Sequence, residues 1–322
     1  MQAVLNIIGD DLKNVEDRFR TYLESNVPLI RMVGEYVLSS GGKRVRPALH
    51  LLAARMCDSN PDKAVTIASV IEFIHTATLL HDDVVDNATL RRGIASANTK
   101  WGNETSVLIG DYLFSKSFSL MVECGSMEVL RVIANATTRI AEGEVIQLLS
   151  TGNTGLSEMD YIDVIRSKTA VLMSAACETG GLLGDCDQRK RDSLAAFGME
   201  LGIAFQLMDD ALDYSSSEEA FGKSIGHDLF EGKITLPLIH TLRQCNRTET
   251  ALISAAIEKE QLLPDDFEQI FSLVNKYAGI EYTVDSARQY VSQCKSCLNG
   301  FNPSPARDAL FELADYVVTR TR

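Results

Sequence analysis

Ala64-Val65-Thr66-Ile67-Ala68-Ser69-Val70-Ile71-Glu72-Phe73-Ile74-His75-Thr76-Ala77-Thr78-Leu79-Leu80 carries small and large apolar residues at i, i+3 and i+4, with almost no polar face. A helix that is apolar nearly all round has to be buried on every side, so this stretch belongs inside a bundle of other helices. The same spacing recurs outward from it, over Glu104 to Met121, Met127 to Leu149, Asp160 to Leu182 and Gln188 to Tyr214. Proline, the strongest helix breaker, is absent from residue 62 through residue 236. Strand-type alternation is scarce, and there is no fixed repeat, low-complexity tract or linker. The pattern predicts an all-α fold, one large helical bundle in which residues 1–322 form a single domain.

Composition narrows the function classes. The chain has 322 residues, 45% of them hydrophobic, and a formal net charge of -13. Such an acidic surface argues against nucleic-acid binding and against electrostatic attachment to anionic lipid. An anionic substrate would need local cations or metal ions to reverse the field. No secretory signal is evident, and no stretch reads as the roughly 20 uncharged apolar residues of a membrane span, so a cytoplasmic protein without an integral membrane segment is expected. Seven scattered cysteines read as free thiols of a reducing compartment. Cys294 and Cys297 are i, i+3 neighbours on a helix, weak evidence for zinc.

The apolar helix runs into Asp82-Asp83-Val84-Val85-Asp86. Residues 82 and 86 share a helix face, with Asp83 beside them. Three such carboxylates repel one another unless solvent or a divalent cation separates them. Mg²⁺ favours this donor type, with substrate phosphates completing its shell. A single cluster reads equally well as a solvated helix end. Asp209-Asp210-Ala211-Leu212-Asp213 repeats the spacing after Gly202-Ile203-Ala204-Phe205-Gln206-Leu207-Met208, another apolar run. Two copies facing each other across a bundle cavity would hold Mg²⁺ on one diphosphate.

Cations accompany the acids. Gly41-Gly42-Lys43-Arg44-Val45-Arg46-Pro47 sets three beside two flexible glycines, and Arg91-Arg92-Gly93 follows the first acidic cluster. Lys168-Thr169, Lys223 and Lys233 add isolated cations in apolar or glycine-flanked settings. Cations beside carboxylate clusters suit a charge-matched diphosphate pocket. His75 lies two turns before Asp82 and reads either as a core histidine or as a phosphate donor. Gln206 could point into the cavity, while Glu142 and Glu144 either face solvent or brace the pocket. No nucleophile elbow, phosphate-binding loop or dinucleotide fingerprint is present.

In this order the motifs resemble the trans-type isoprenyl diphosphate synthases. The resemblance rests on Gly41 to Pro47, His75, Asp82 to Asp86, Arg91-Arg92-Gly93, Lys168-Thr169, Phe205 to Asp213, Gly222-Lys223 and Asp228 to Lys233. Ile74 to Asp86 and the closing Leu313 to Val318 look like the octaprenyl and related long-chain polyprenyl members. The resemblance implies the isoprenoid-synthase fold, helices around a central cavity, and a homodimer. It implies that Asp82, Asp83, Asp86, Asp209 and Asp210 bind Mg²⁺, and that Asp213 completes the second motif. Arg91, Lys168, Lys223 and Lys233 would contact the allylic diphosphate. Lys43, Arg46, His75 and Arg92 would bind isopentenyl diphosphate, and Thr169 and Gln206 would line the carbocation region.

Short-chain members of that family block the growing tail with aromatics just before the first motif. Ala77 and Thr78 are small here, so the tail should pass them and stop deeper, at Met121 or Ile133. Burial of each five-carbon unit is worth about 4 kcal/mol, so the tail should thread as far as the walls permit, to about C40. Farnesyl or geranylgeranyl diphosphate would be the primer, and release of so apolar a product implies transient membrane contact. Three rivals remain: a medium-chain geranylgeranyl or hexaprenyl type, a class I terpene cyclase, and a non-catalytic subunit of a heteromeric synthase. The second acidic motif and the Lys43, Arg46, His75, Arg92 set speak against the cyclase. The intact aspartates speak against a non-catalytic subunit.

Overall fold

The computed structural model describes residues 2–184, 186–215, 226–259 and 262–320. The apolar stretch lies in α4 (Pro61–Val85). The Asn60 side chain starts this helix by accepting the backbone N–H groups of Asp62 and Lys63, and Pro61 occupies the first turn, where an N–H would find no helical partner. Asp86 caps its other end. Before it come α1 (Gln2–Tyr22), α2 (Pro28–Ser39) and α3 (Val45–Met56). After it come α5 (Ala97–Trp101), α6 (Asn103–Cys124), α7 (Met127–Ser150), α8 (Glu158–Ile165), α9 (Val171–Leu182) and α10 (Gln188–Ser215). The chain continues with α11 (His227–Phe230), α12 (Leu236–Gln244), α13 (Arg247–Ile257), α14 (Pro264–Lys276), α15 (Gly279–Cys297) and α16 (Pro305–Thr319). The all-α expectation holds. Each predicted helix is present, its ends coinciding with the prediction or running up to five residues past it, except that Asp160 to Leu182 is broken by a π-helical turn over Arg166–Ala170.

The chain packs as two compact units. The first comprises Met1–Thr137, Leu172–Gly198 and Cys297–Leu313; the second comprises Thr138–Val171, Met199–Ser296 and Ala314–Arg322. In the first unit α4 is central and packs against α1, α3, α5 and α6. Val70, Ile71, Phe73, Ile74 and Ala77 are wholly buried. Phe73 stacks on Phe19 of α1 with ring centroids 4.2 Å apart, a pair worth roughly 1 kcal/mol beyond its buried area. Contrary to expectation, α4 is long and apolar enough to cross a membrane, but 72% of its most apolar window is buried in protein, which accounts for that composition.

The first unit also holds the short strands Leu90–Arg91 and Ile94–Ala95, paired antiparallel through the two-residue turn Arg92-Gly93. Both turn residues have positive φ, 53° and 80°, as a tight hairpin turn of this length requires.

The free-thiol expectation is corrected at one pair. Cys57 and Cys186 form a disulfide, with Cα atoms 5.8 Å apart across a sequence separation of 129. Packing of the α9–α10 connection on the end of α3 brings the two together. Gly184 permits it, because a Cβ there would sit 2.0 Å from the Cys57 carbonyl oxygen. Cys294 of α15 is buried and donates to the Val291 carbonyl oxygen of its own helix.

Candidate active site

In the first unit the acidic motif ends α4. Asp82 and Asp86 are partly exposed and one helical turn apart, the Asp86 N–H donating to the Asp82 carbonyl at 2.8 Å. Asp83 is turned inward and buried. Arg91 of the hairpin places Nε and Nη2 each 2.7 Å from Asp83 Oδ1. The helical rotation of about 100° per residue separates the roles: 82 and 86 keep one face, and 83 meets the neighbouring hairpin.

The basic loop splits in the same way. Arg44, at a left-handed φ of 48°, points inward to Glu72 at 2.5 Å and Glu16 at 3.3 Å. Lys43 stays exposed. Arg46 opens α3 and donates from Nη1 to His75 Nε2 at 3.3 Å. Burial, and then the guanidiniums of Arg46, Arg92, Arg91 and Arg44, hold the His75 pKa well below its usual value. The ring is therefore neutral, and with Nε2 accepting, its remaining proton sits on Nδ1. Arg92 lies over the glycine loop so closely that a Cβ on Gly42 would be 2.9 Å from its Nη1. Arg46, His75 and Arg92 are thus brought together, with Lys43 on the adjoining loop.

Three further positions belong to this unit. Ala77 is wholly buried among Phe73, Leu80, Ile109 and Leu113. Thr78 donates to the His75 carbonyl at 2.8 Å. Met121 and Ile133 are both fully buried, on α6 and α7. His81, which belongs to no motif in the sequence, anchors the end of α4: a Cβ on Gly110 of α6 would fall 2.2 Å from its Nε2.

In the second unit α10 presents Asp209, Asp210 and Asp213. The pattern repeats, with Asp209 and Asp213 partly exposed and Asp210 buried. Asp210 accepts from the Tyr161 hydroxyl and, at 2.8 Å, from Gln206 Nε2. Gln206 Oε1 in turn accepts from the Thr169 hydroxyl at 3.1 Å. Burial, then the Asp228 charge, pushes the Asp210 carboxyl well above its usual range, against the opposing pull of these donors. Burial and the same carboxyl push the Tyr161 phenol upward, so it stays a donor. Asp213 Oδ2 accepts the Asp228 backbone N–H at 3.1 Å.

Lys168 and Thr169 sit in the π-helical turn, a local irregularity of the kind often found at functional sites. Two glycines make room for it. A Cβ on Gly143 of α7 would lie 2.8 Å from the Lys168 nitrogen, and one on Gly202 of α10 would lie 2.5 Å from Ala170 Cα. Lys168 Nζ reaches Glu144 at 2.6 Å, so Glu144 braces the site, whereas Glu142 lies 3.8 Å from Arg139 with its side chain exposed. Lys233 Nζ is 2.7 Å from Glu231, which His227 also contacts at 3.1 Å. Burial alone would raise the Glu231 pKa; His227 and Lys233 overcome it and hold it at about 2. Gly222 and Lys223 lie outside the described residues.

Two partners of the second motif were missed, Tyr161 and Arg320. Arg320 Nη2 lies 2.8 Å from Asp209 Oδ1. Neither residue belongs to a local motif, and the only sequence signal at Arg320 is a cation after an apolar run. Among the described residues no three His, Cys, Asp or Glu side chains form a cage able to hold a metal unaided. The exposed carboxylates nevertheless suit an Mg²⁺ ion that takes one or two carboxylates and completes its shell with phosphate.

Comparison with known proteins supplies the family. The Polyprenyl synthetase model matches residues 27–274. Octaprenyl diphosphate synthase of Escherichia coli (strain K12) is 40% identical over 100% of this chain and 99% of its own length. The all-trans-nonaprenyl-diphosphate synthase (geranyl-diphosphate specific) of Rhodobacter capsulatus is 36% identical over 99% of this chain and 98% of its own. Among solved structures, a polyprenyl synthase from Caulobacter crescentus CB15, complexed with calcium and isoprenyl diphosphate, superposes with a TM-score of 0.96 at 39% identity, covering 100% of this chain and 98% of that one. With family match, full-length relatives and fold in agreement, this chain belongs to the polyprenyl synthetase family.

Proposed function

We propose that this chain is a trans-polyprenyl diphosphate synthase that condenses isopentenyl diphosphate with an allylic diphosphate, farnesyl or geranylgeranyl, to a product of octaprenyl length. The observation that carries the reading is the paired pattern of the acidic motifs. In each, the middle aspartate is buried on protein donors, and the outer two stay partly exposed on one helix face. The octaprenyl assignment leans on the 40% identity to a protein of that name over the full chain.

Asp82, Asp86 and Asp209 are assigned to Mg²⁺, which when bound supplies Lewis-acid stabilisation of leaving-group charge. Bracing is the role that burial supports for Asp83 and Asp210. Arg91, Lys168 and Lys233, each already paired with a carboxylate, and Lys223 are assigned to the allylic diphosphate. Lys43, Arg46, His75 and Arg92 hold the isopentenyl diphosphate. The allylic C1–O bond breaks to give a carbocation and diphosphate. The isopentenyl double bond attacks that cation, and a C–C bond forms. A C2 proton then leaves to the released diphosphate, which restores a trans double bond and needs no protein base. Thr169 and Gln206 belong beside the cation, and apolar walls keep water from quenching it.

A homodimer fits the apolar side chains that α6 and the start of α7 leave exposed, Leu108 and Val122 at 66% and Met127 at 69%. A fully active monomer in light scattering at micromolar concentration would overturn that assignment. The test of the function is a product assay: purified protein, Mg²⁺, farnesyl diphosphate and isopentenyl diphosphate, with dephosphorylated products resolved by mass. A long polyprenol ladder is expected, and cyclised hydrocarbons would instead support the cyclase. Arg46→Ala should raise KM for isopentenyl diphosphate about 10- to 100-fold, the scale of one charged hydrogen bond, with little change in KM for the allylic substrate. An effect confined to the allylic substrate would reassign Arg46.

A further inference from the structure

The second acidic motif is gripped by the far end of the chain. Arg320 follows α16 directly, yet its side chain is only 4% exposed, whereas that of Asp209 is 41% exposed. The guanidinium is held from several sides. Nη2 lies 2.8 Å from Asp209 Oδ1 and donates to the Phe205 carbonyl oxygen at 2.8 Å. Nε donates to the Val317 carbonyl oxygen at 3.3 Å. The carbon at the centre of the guanidinium stands 4.1 Å from the centroid of the Phe205 ring.

These contacts have one geometric consequence. Phe205 and Asp209 are four residues apart on α10, so Arg320 ties the carbonyl of one position to the carboxylate of the next turn. A planar fork stacked on an aromatic ring can do this, and a lysine ammonium cannot do it equally well. Burying a guanidinium is costly unless its hydrogen bonds and charge are met, and here they are met by the first residue of the motif and the turn that carries it. Asp209 keeps a solvent-facing part of its carboxylate while one oxygen is pinned. That arrangement suits a metal ligand oriented by an outer partner.

We propose that Arg320 is the positioning residue of the second acidic motif, clamping the Asp209 carboxylate to the Phe205 turn so that it is already oriented to receive a divalent ion. The inference rests on the reading of Asp209 as a metal ligand. Outer partners that orient a ligand typically change metal affinity by about 10- to 100-fold when removed.

The test is Mn²⁺ binding, followed by electron paramagnetic resonance in the presence of inorganic diphosphate, for wild type, Arg320→Met, Arg320→Lys, Asp209→Asn and the Arg320→Met/Asp209→Asn double variant. Arg320→Met keeps bulk against Phe205 and removes the fork. It should raise half-saturating Mn²⁺ about 10- to 100-fold, and half-saturating Mg²⁺ in turnover in parallel. KM for isopentenyl diphosphate should stay within about twofold, because none of the residues assigned to it touches the clamp. Arg320→Lys should fall between wild type and Arg320→Met, and it decides the matter if Arg320→Met does not fold. In the Asp209→Asn background, loss of Arg320 should add less than about twofold.

Wild-type Mn²⁺ affinity in a folded Arg320 variant would overturn the proposal, and so would an undiminished effect in the Asp209→Asn background. Tighter Mn²⁺ binding would also overturn it, by making Arg320 a competitor of the ion. A wild-type protein that binds no Mn²⁺ would instead defeat the metal reading of Asp209 itself.

Discussion

Asp82→Ala is expected to lower turnover by about 10²–10³-fold or more, and Asp209→Ala by as much. The effect is electrostatic. Ionisation of an allylic diphosphate leaves a highly charged group in a protein whose own net charge is -13. Three of the cations assigned to it are already paired: Arg91 with Asp83, Lys168 with Glu144 and Lys233 with Glu231. Divalent ions have to supply the remainder, and the exposed aspartates are the residues placed to hold them. Asp82→Ala should fold, because Asp82 is partly exposed, unlike Asp83; Asp209→Ala leaves the buried Arg320 guanidinium without its counter-ion, so its melting transition is followed beside the rate. Steady-state rates with saturating substrates, with and without excess chelator, provide the check. Full turnover in chelator, or an Asp82→Ala enzyme within tenfold of wild type, would refute the assignment.

Ala77→Tyr should shorten the product from about C40 toward about C15–C20, since a blocked tail forfeits about 4 kcal/mol of burial for each five-carbon unit it cannot place. Ala77 lies on α4 five residues before Asp82 and is wholly buried among Phe73, Leu80, Ile109 and Leu113. A phenol ring there fills space on the side of α4 from which the tail is proposed to leave. Overpacking should cost stability, about 1–3 kcal/mol, so the melting transition has to be followed beside the product ladder. Activity should persist, because Arg46, His75 and Arg92 are untouched. An active Ala77→Tyr enzyme with the wild-type ladder would show that the tail takes another route, and Met121 and Ile133 would lose their place as its floor.

Much of the site was legible because its signals are local. The 3.6-residue period identified α4, α6, α7 and α10, and the spacing Asp-Asp-x-x-Asp on two apolar helices pointed to paired carboxylates. The grouping of Arg46 with His75 and Arg92 was expected from the family resemblance, and the structure brings them together. The π-helical turn was not legible, because it depends on two glycines, Gly143 and Gly202, that are distant in sequence and reveal their purpose only when helices close on the turn.

The sequence by itself determined helix class, the acidic and basic motifs and the family they resemble. Those features follow from the chemistry of neighbouring residues and from a period that every turn repeats. Tertiary structure alone decided which aspartate of each triplet is sequestered, because that choice belongs to the partner: the hairpin guanidinium of Arg91 for Asp83, and Tyr161 and Gln206 for Asp210. It also paired Cys57 with Cys186 and Asp209 with Arg320, residues far apart in the chain. No local spacing encodes such pairs. They exist because buried apolar faces fix where helices pack, and polar groups carried into the interior are then satisfied by whatever partner the packing puts within reach.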